Sequence, residues 1–218
     1  MTEYEKMLTG EPHDVTDISI LLKMARCYRL NRRLNRMSLL NQSGRYQLLK
    51  RMVGSIDGRP YYAPSPIYIK LGFNVHIGKH LLSNYNLTIL DGAPVHIGDD
   101  VMIGPSVTLT TIEHPLMAAE RITFAKDSSD LLNRLLGNER SHVESSKPIT
   151  IGNRVWLCSG VTVCAGVTIG DNSVIGAGSV VTRDIPANVL AFGVPCRVVR
   201  EITEKDRMEG FCPDQKSK

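Results

Sequence analysis

IGNRVW-LCSGVT-VCAGVT-IGDNSV-IGAGSV-VT, residues 151–182, sets the reading of the whole chain. An aliphatic residue opens each six: Ile151, Leu157, Val163, Ile169, Ile175 and Val181. Four places later a small or β-branched residue recurs, at Val155, Val161, Val167, Ser173 and Ser179. A period of six fits neither a helix nor a flat strand. It marks a parallel β-helix, in which each six makes one short strand and one tight corner. Three sixes close a triangular coil of roughly eighteen residues, and coils stack at about 4.8 Å. The opening aliphatics then point inward as a ladder. Gly152, Asn153, Gly170, Asp171, Asn172, Gly176 and Gly178 suit the corners, where φ is often positive. Repeats this uninterrupted argue against chance periodicity in a β-sandwich.

Towards the N-terminus the pattern loosens. IGDDVM and IGPSVT open at Ile97 and Ile103, and strand-like pieces precede them: IYI (67–69), VHIG (75–78), LTIL (87–90) and VHIG (95–98). PYYAPSP (60–66) reads as an extended linker into the first coil. Residues 14–37 read as a helix capped by Asp14, Thr16 or Asp17. Ile18, Leu21, Leu22, Ala25 and Tyr28 recur at helical spacing, opposite a basic side carrying Arg26, Arg29, Arg32, Arg33 and Arg36. A second helix is expected from about Ser43 to Val53, burying Leu48, Leu49, Met52 and Val53 and ending at Gly54.

Residues 115–147 break the sixes. This polar excursion starts directly after His114, and its DSSDLLNRLLG suggests a short helix ending at Gly137. Long excursions from repeat proteins gather on one face and are often functional. The tail leaves the solenoid, with a short capping helix expected from about 199 to 208 and disorder beyond. The chain thus divides into an N-terminal helical segment (1–59), a β-helix domain (60–198) with the excursion inserted, and a C-terminal cap and tail (199–218).

The chain has 218 residues and a net charge of +4, only mildly basic. No aromatic platform or nucleic-acid motif accompanies the arginine stripe, so nucleic acid is not the expected partner. No apolar run reaches the length of a membrane span, and MTEYEKMLTG does not read as a secretory signal. Cys27, Cys158, Cys164, Cys196 and Cys212 are odd in number without a CxxC pair, which fits reduced thiols in a cytoplasm. Cys158 and Cys164 are expected on different faces as packing residues, and Trp156 at the coil surface or a subunit contact.

His114 closes the run VTLTTIEH where the excursion departs, and Pro115 biases it towards an extended conformation. Histidine suits general-base work at neutral pH. On the bare sequence a lone histidine is more often structural.

With the repeats, the His114-Pro115 pair and the tail located, the chain resembles the maltose/galactoside/nodulation O-acetyltransferases, within the hexapeptide-repeat acyltransferases. TIGDNSVIGAGSVVTRDIPANVLAFGVPCRVVRE (168–201) is close to the galactoside acetyltransferase pattern. LLSNYNLTILDGAPVHIGDDVMIGP (81–105) and EKMLTGE (5–11) also match. The resemblance implies a left-handed β-helix and a homotrimer with active sites between neighbouring subunits. It implies acetyl-CoA as donor to a hydroxyl of a sugar or related small acceptor, with no metal. It makes His114 the base and places Asn84, Asp91 and Asp14 on the acceptor, with a turn role equally open for Asp91. Ser159, Ala177, Thr182, Arg183, Arg197 and Arg200 fall on coenzyme A positions, the arginines meeting phosphates. Several acceptor positions depart from the pattern: Lys70 stands where a serine is usual, Leu82 where an aromatic is usual, and Gly92 where an aspartate is found. Pro12 and His13 replace a Leu-Tyr pair, and the excursion is much longer. An amine acceptor is thereby left open. Two other classes share the scaffold. A metal-dependent hydratase resembling the γ-class carbonic anhydrases would draw on His76, His80, His96 and His114, although its HxxxxH spacing is absent. A non-catalytic hexapeptide scaffold would only bind partners.

Overall fold

The computed structural model describes residues 1–124 and 140–208. Three parallel sheets form the faces of a solenoid. The first face stacks β2 (Ser55–Ile56), β4 (Val75–Ile77), β7 (Val95–Ile97), β13 (Ile149–Ile151) and β16 (Thr168–Ile169). The second stacks β5 (Leu82–Ser83), β8 (Met102–Ile103), β14 (Trp156–Leu157), β17 (Val174–Ile175) and β19 (Val189–Gly193). The third stacks β3 (Ile67–Ile69), β6 (Leu87–Leu90), β9 (Thr108–Thr110), β15 (Thr162–Val163) and β18 (Val180–Val181). The chain visits the faces in rotation, so strands three apart in order lie side by side, as Thr150 beside Thr168 and Trp156 beside Val174.

The inward ladder is the core. Ile151, Leu157, Val163, Ile169, Ile175 and Val181 are all buried, as are Val155, Val161, Val167, Ser173 and Ser179 between them. The corners work differently from the expectation of positive φ at each glycine. Of the seven corner residues singled out, Asn172 and Gly178 take positive φ, while Arg154 takes it in the first corner. Gly152 and Gly170 are needed for space: a Cβ on Gly152 would lie 2.3 Å from Asp171 Oδ1, and one on Gly170 2.4 Å from Ala187 N. Corner side chains also tie coil to coil. Asp99 Oδ1 accepts from Lys79 N, Asn153 Oδ1 from Asp99 N, and Asp171 Oδ1 from Asn153 N, at 2.7–2.9 Å.

At the N-terminal side α1 (Glu3–Thr9) leads through β1 (His13–Asp14) to α2 (Ile18–Arg36), capped by Asp17, and α3 (Gln42–Met52), capped by Asn41. The face of α2 that packs is not the one carrying Ile18, Leu22 and Tyr28, which are exposed; it carries Ile20, Cys27, Asn31 and Leu34. The reason lies in β3, the outermost strand of its sheet. Asn31 donates to Ile69 O (2.7 Å) and accepts from Ile69 N (3.2 Å); Asn35 does the same with Ile67 O and N, both at 2.9 Å. Two amide side chains thus stand in for the missing neighbour strand, and a sheet edge is satisfied by a helix. Leu48, Leu49, Met52 and Val53 of the second helix are buried as expected, and the five arginines of the basic stripe are exposed.

The C-terminal end differs from the helix expected there. β20 (Cys196–Glu201) runs antiparallel to β19 and is followed by a 3₁₀ turn at Glu204–Asp206. The boundary placed at 198 therefore falls inside a strand. The expected tail beyond 208 lies outside the described residues.

The described ends of the excursion form secondary structure. β10 (Ile112–Glu113) leaves the third face, a helical turn α4 (Ala118–Arg121) follows, then β11 (Ile122–Phe124). β12 (Arg140–Ser146) returns and pairs antiparallel with β11, β10 and β1. The helix expected within DSSDLLNRLLG lies outside the described residues.

Candidate active site

The returning strand β12 assembles the cluster around His114. Its register sets Ile112 opposite Ser146 on one side and Asp14 opposite Val143 on the other. It therefore joins the N-terminal segment to the strand that leads to His114. The imidazole Nδ1 lies 2.8 Å from Val143 O. A carbonyl only accepts, so Nδ1 carries the proton, and in the neutral ring Nε2 keeps its lone pair. Nε2 lies 4.0 Å from Glu144 Oε1. The His114 side chain is 42% exposed, within reach of a ligand, whereas Glu144 is 12% exposed. Lys70 Nζ grips both carboxylate oxygens of Glu144, at 2.8 and 3.1 Å. The result is a line from Lys70 through Glu144 to the basic nitrogen of His114.

Glu144, Val143 and the Lys70 contact were missed in the sequence. HVESS (142–146) alternates as a strand does, but nothing local names its partners. The structure also explains two departures. Lys70 is occupied by Glu144, and Gly92 makes room for β12, since a Cβ there would lie 2.3 Å from Ser146 Oγ.

The other candidate residues fall into separate places. Asp14 sits on β1 beside Val143, and its Oδ1 accepts from Thr16 N and Oγ1 at 2.8 and 2.6 Å. Asp91 is fully buried, its oxygens accepting from Leu71 N (2.7 Å) and Gly72 N (2.6 Å). Burial pushes its carboxyl up to about 6, against the pull of those amides. This environment ties Asp91 to the turn at 71–72, the turn role that the sequence left open for it. Asn84 follows β5 at the edge between the second and third faces, with Oδ1 accepting from Tyr85 N (2.9 Å). Ser159 and Ala177 share that edge one coil apart, where Gly178 N donates to Ser159 O (2.9 Å). Thr182 and Arg183 follow β18, on the edge between the third and first faces from which His114 departs. Arg197 and Arg200 lie on β20, and Arg200 is paired bidentately with Asp206 at 2.7 and 2.8 Å. That guanidinium draws the Asp206 carboxyl down to about 2. One chain therefore brings Asp14, His114, Glu144 and Lys70 together, but leaves Asn84, Ser159 and Ala177 an edge away.

His76 and His96 stack on the first face with centroids 4.9 Å apart, and His80 bonds Asp100 at the next corner. They do not converge with His114. Among the described residues no group of three or more His, Cys, Asp or Glu could hold a metal ion, and none of their helices is long and apolar enough to cross a membrane.

The fold defines a parallel solenoid of hexapeptide repeats. Residues 148–183 match the family model described as bacterial transferase hexapeptide (six repeats). A galactoside O-acetyltransferase of Escherichia coli (strain K12) is 46% identical over 163 residues, 75% of this chain and 71% of that protein. A solved galactoside acetyltransferase in complex with coenzyme A is 38% identical with a TM-score of 0.82, covering 98% of this chain and 97% of that one. A hexapeptide-repeat acetyltransferase of Vibrio cholerae O1 biovar eltor, solved with acetyl coenzyme A, is 33% identical with a TM-score of 0.77, covering 94% and 100%. The chain belongs to the hexapeptide-repeat acetyltransferase family.

Proposed function

We propose that the protein transfers acetyl from acetyl-CoA to a hydroxyl of a sugar-type acceptor, with His114 as general base. The observation that carries this is the tautomer: Nδ1–H is held by Val143 O, which leaves Nε2 free to take a proton. A sugar hydroxyl is almost wholly protonated at neutral pH, and a positioned base is worth roughly 10²–10⁴-fold. On taking the proton, Nε2 becomes cationic beside the Glu144 carboxylate. The imidazolium then returns that proton to the departing sulfur. Lys70 holds Glu144 in place and shares its charge. Acetyl-CoA would supply the activated acyl group, since a thiol with pKa near 8.5 leaves readily.

The residues present fit that donor. Around a Cβ placed on Gly178 there is open space to 4 Å, and Ser159 and Ala177 offer a small-residue edge beside it. Ser159 and Ala177 would line the pantetheine arm, and Thr182, Arg183, Arg197 and Arg200 would meet the nucleotide and phosphates. Ser159 and Ala177 occupy a different edge from Thr182 and Arg183, as Asn84 does from His114. A homotrimer resolves this, because packing prisms around a threefold sets one edge of each against the other edge of the next. The outer ladder of the second face supports such packing: Leu82, Met102, Trp156, Val174 and Leu190 form an apolar stripe, with Met102 and Trp156 nearly half exposed. Asp14 is kept on the acceptor side through β1.

His114→Ala is expected to lower kcat by at least about 10²-fold with Tm unchanged; near-normal turnover overturns the assigned base. Co-expressed His114→Ala and Asn84→Ala chains are expected to regain roughly a quarter of wild-type sites if each site draws on two subunits. No recovery means that one chain holds the whole site.

A further inference from the structure

Residues 18–56 hold nine Lys and Arg and not one Asp or Glu. That stretch carries +9 against +4 for the whole chain, so the remainder is net acidic. The helix α2 sorts these charges. Ile20, Cys27, Asn31 and Leu34 are buried, at steps of seven, four and three. Ile18, Leu22, Arg29, Arg33 and Arg36 follow at steps of four, seven, four and three, which sets them in one line on the opposite side, and all five are exposed. Arg26 Nη2 donates to Arg51 O (2.9 Å), so the basic end of α3, with Lys50 and Arg51, lies alongside. Arg45 is buried and spent on the carbonyls of Leu34 and Ala63. Among the described residues no carboxylate lies within 4.0 Å of Arg29, Arg33, Arg36 or Lys50. We infer that this outer face of α2 is a docking surface for an anionic lipid bilayer, holding the protein at a membrane surface without crossing it. The inference goes beyond the acetyl transfer proposed above and does not rest on it. Two observations carry it. First, the cations are gathered without counter-charges on a chain whose remainder is acidic. An anionic leaflet draws such a cluster, at roughly fivefold in partitioning per Lys or Arg, and repels the rest, so this face is the one that approaches. Second, the same line carries Ile18 and Leu22, 55% and 64% exposed. The phosphate backbone of a nucleic acid gives those side chains nothing to bury against. The boundary between headgroups and acyl chains does, while the arginine stems lie along it and their guanidinium groups reach the lipid phosphates.

The experiment sediments the full chain with vesicles of phosphatidylcholine alone and of phosphatidylcholine with one-third phosphatidylserine, at low and high salt. Partitioning is expected to be at least about tenfold stronger on the anionic vesicles at low salt and to weaken as salt is raised. Arg29→Gln, Arg33→Gln and Arg36→Gln together are expected to lower it on the order of a hundredfold with Tm unchanged. Lys79→Gln with Lys205→Gln, which removes exposed cations elsewhere, is expected to leave it within about twofold. Leu22→Gln should weaken it by about fivefold. Equal partitioning of the wild type on the two vesicles at low salt overturns the inference. So does a loss with the lysine pair as large as that with the arginine triple. If a duplex oligonucleotide is bound as tightly as the anionic vesicles and Leu22→Gln weakens neither, the face serves a nucleic acid and the inference fails.

Discussion

In the regular coils a corner side chain finds its partner eighteen residues along, as Asn153 N finds Asp171. Around His114 the partners lie 29 residues away, at Val143, and Lys70 reaches across 74 residues to Glu144. The coils spread their stability over many equivalent neighbours, as repeat proteins do. The cluster depends on one strand, β12, being threaded between two segments that are remote in sequence. A substitution in the coils should thus act on stability and leave the chemistry per folded molecule alone. One in the cluster should do the reverse.

The sharpest break of that contrast is Leu157→Ala. Leu157 is fully buried between Ile103 and Ile175 in the ladder. Removing a buried leucine side chain costs about 2–5 kcal/mol. Denaturant unfolding should show a loss in that range, with kcat of the folded fraction unchanged. A large fall in kcat at full folding would mean that the coils tune the site directly.

The same contrast explains what could be read from the residues alone. Inward aliphatics at every sixth position fix one answer, because any other register would turn Ile151, Leu157 and Val163 out to water. The packed face of α2 is hard to read because Asn31 and Asn35 are polar; Asn31 is buried and Asn35 half-buried because the open edge of β3 takes their amides, which no helical periodicity reveals. The antiparallel strand at 196–201 was misread for a similar reason, since its partner is β19 and not a turn of its own. His114 stood out because it sits where the repeat stops. Glu144 did not, because a lone carboxylate in a polar excursion carries no signal until β12 is placed beside Lys70.

Asp91 gives the next largest effect, and its sign follows from burial. Its carboxyl titrates at about 6 in the folded chain, above its unfolded value near 3.9. Between these values the folded state binds more protons than the unfolded one, so stability falls as pH rises through the window from about 4 to about 6. Relative to Asp91→Asn, the wild type should lose up to about 2–3 kcal/mol across that interval in denaturant unfolding. A difference that stays flat with pH would show that the amides of Leu71 and Gly72 offset the burial completely.

Within the cluster, Glu144→Gln tests whether the carboxylate acts through charge. The shape and the Lys70 contact are largely kept, while the negative charge beside Nε2 is lost. We expect kcat to fall by about tenfold and KM for acetyl-CoA to change little, as for a lost transition-state interaction of roughly 1.4 kcal/mol. An unchanged kcat would make Glu144 a fastener for β12 alone.

The smallest effect is expected at the far end, where Arg200 is held by Asp206. The pair is solvent-exposed, so screening leaves it little part in stability. Its depressed carboxyl keeps it intact until the pH falls towards about 2. An arginine held this way is preset in direction, and a phosphate would compete with Asp206 for the same fork of donors. Arg200→Ala should then raise KM for acetyl-CoA by about threefold to tenfold, more than KM for the acceptor. Asp206→Asn should move KM for acetyl-CoA the other way, by freeing the guanidinium. If both variants leave that KM in place, the pair is a latch on the β19–β20 hairpin, and the nucleotide end of the donor must be held by Arg183 and Arg197.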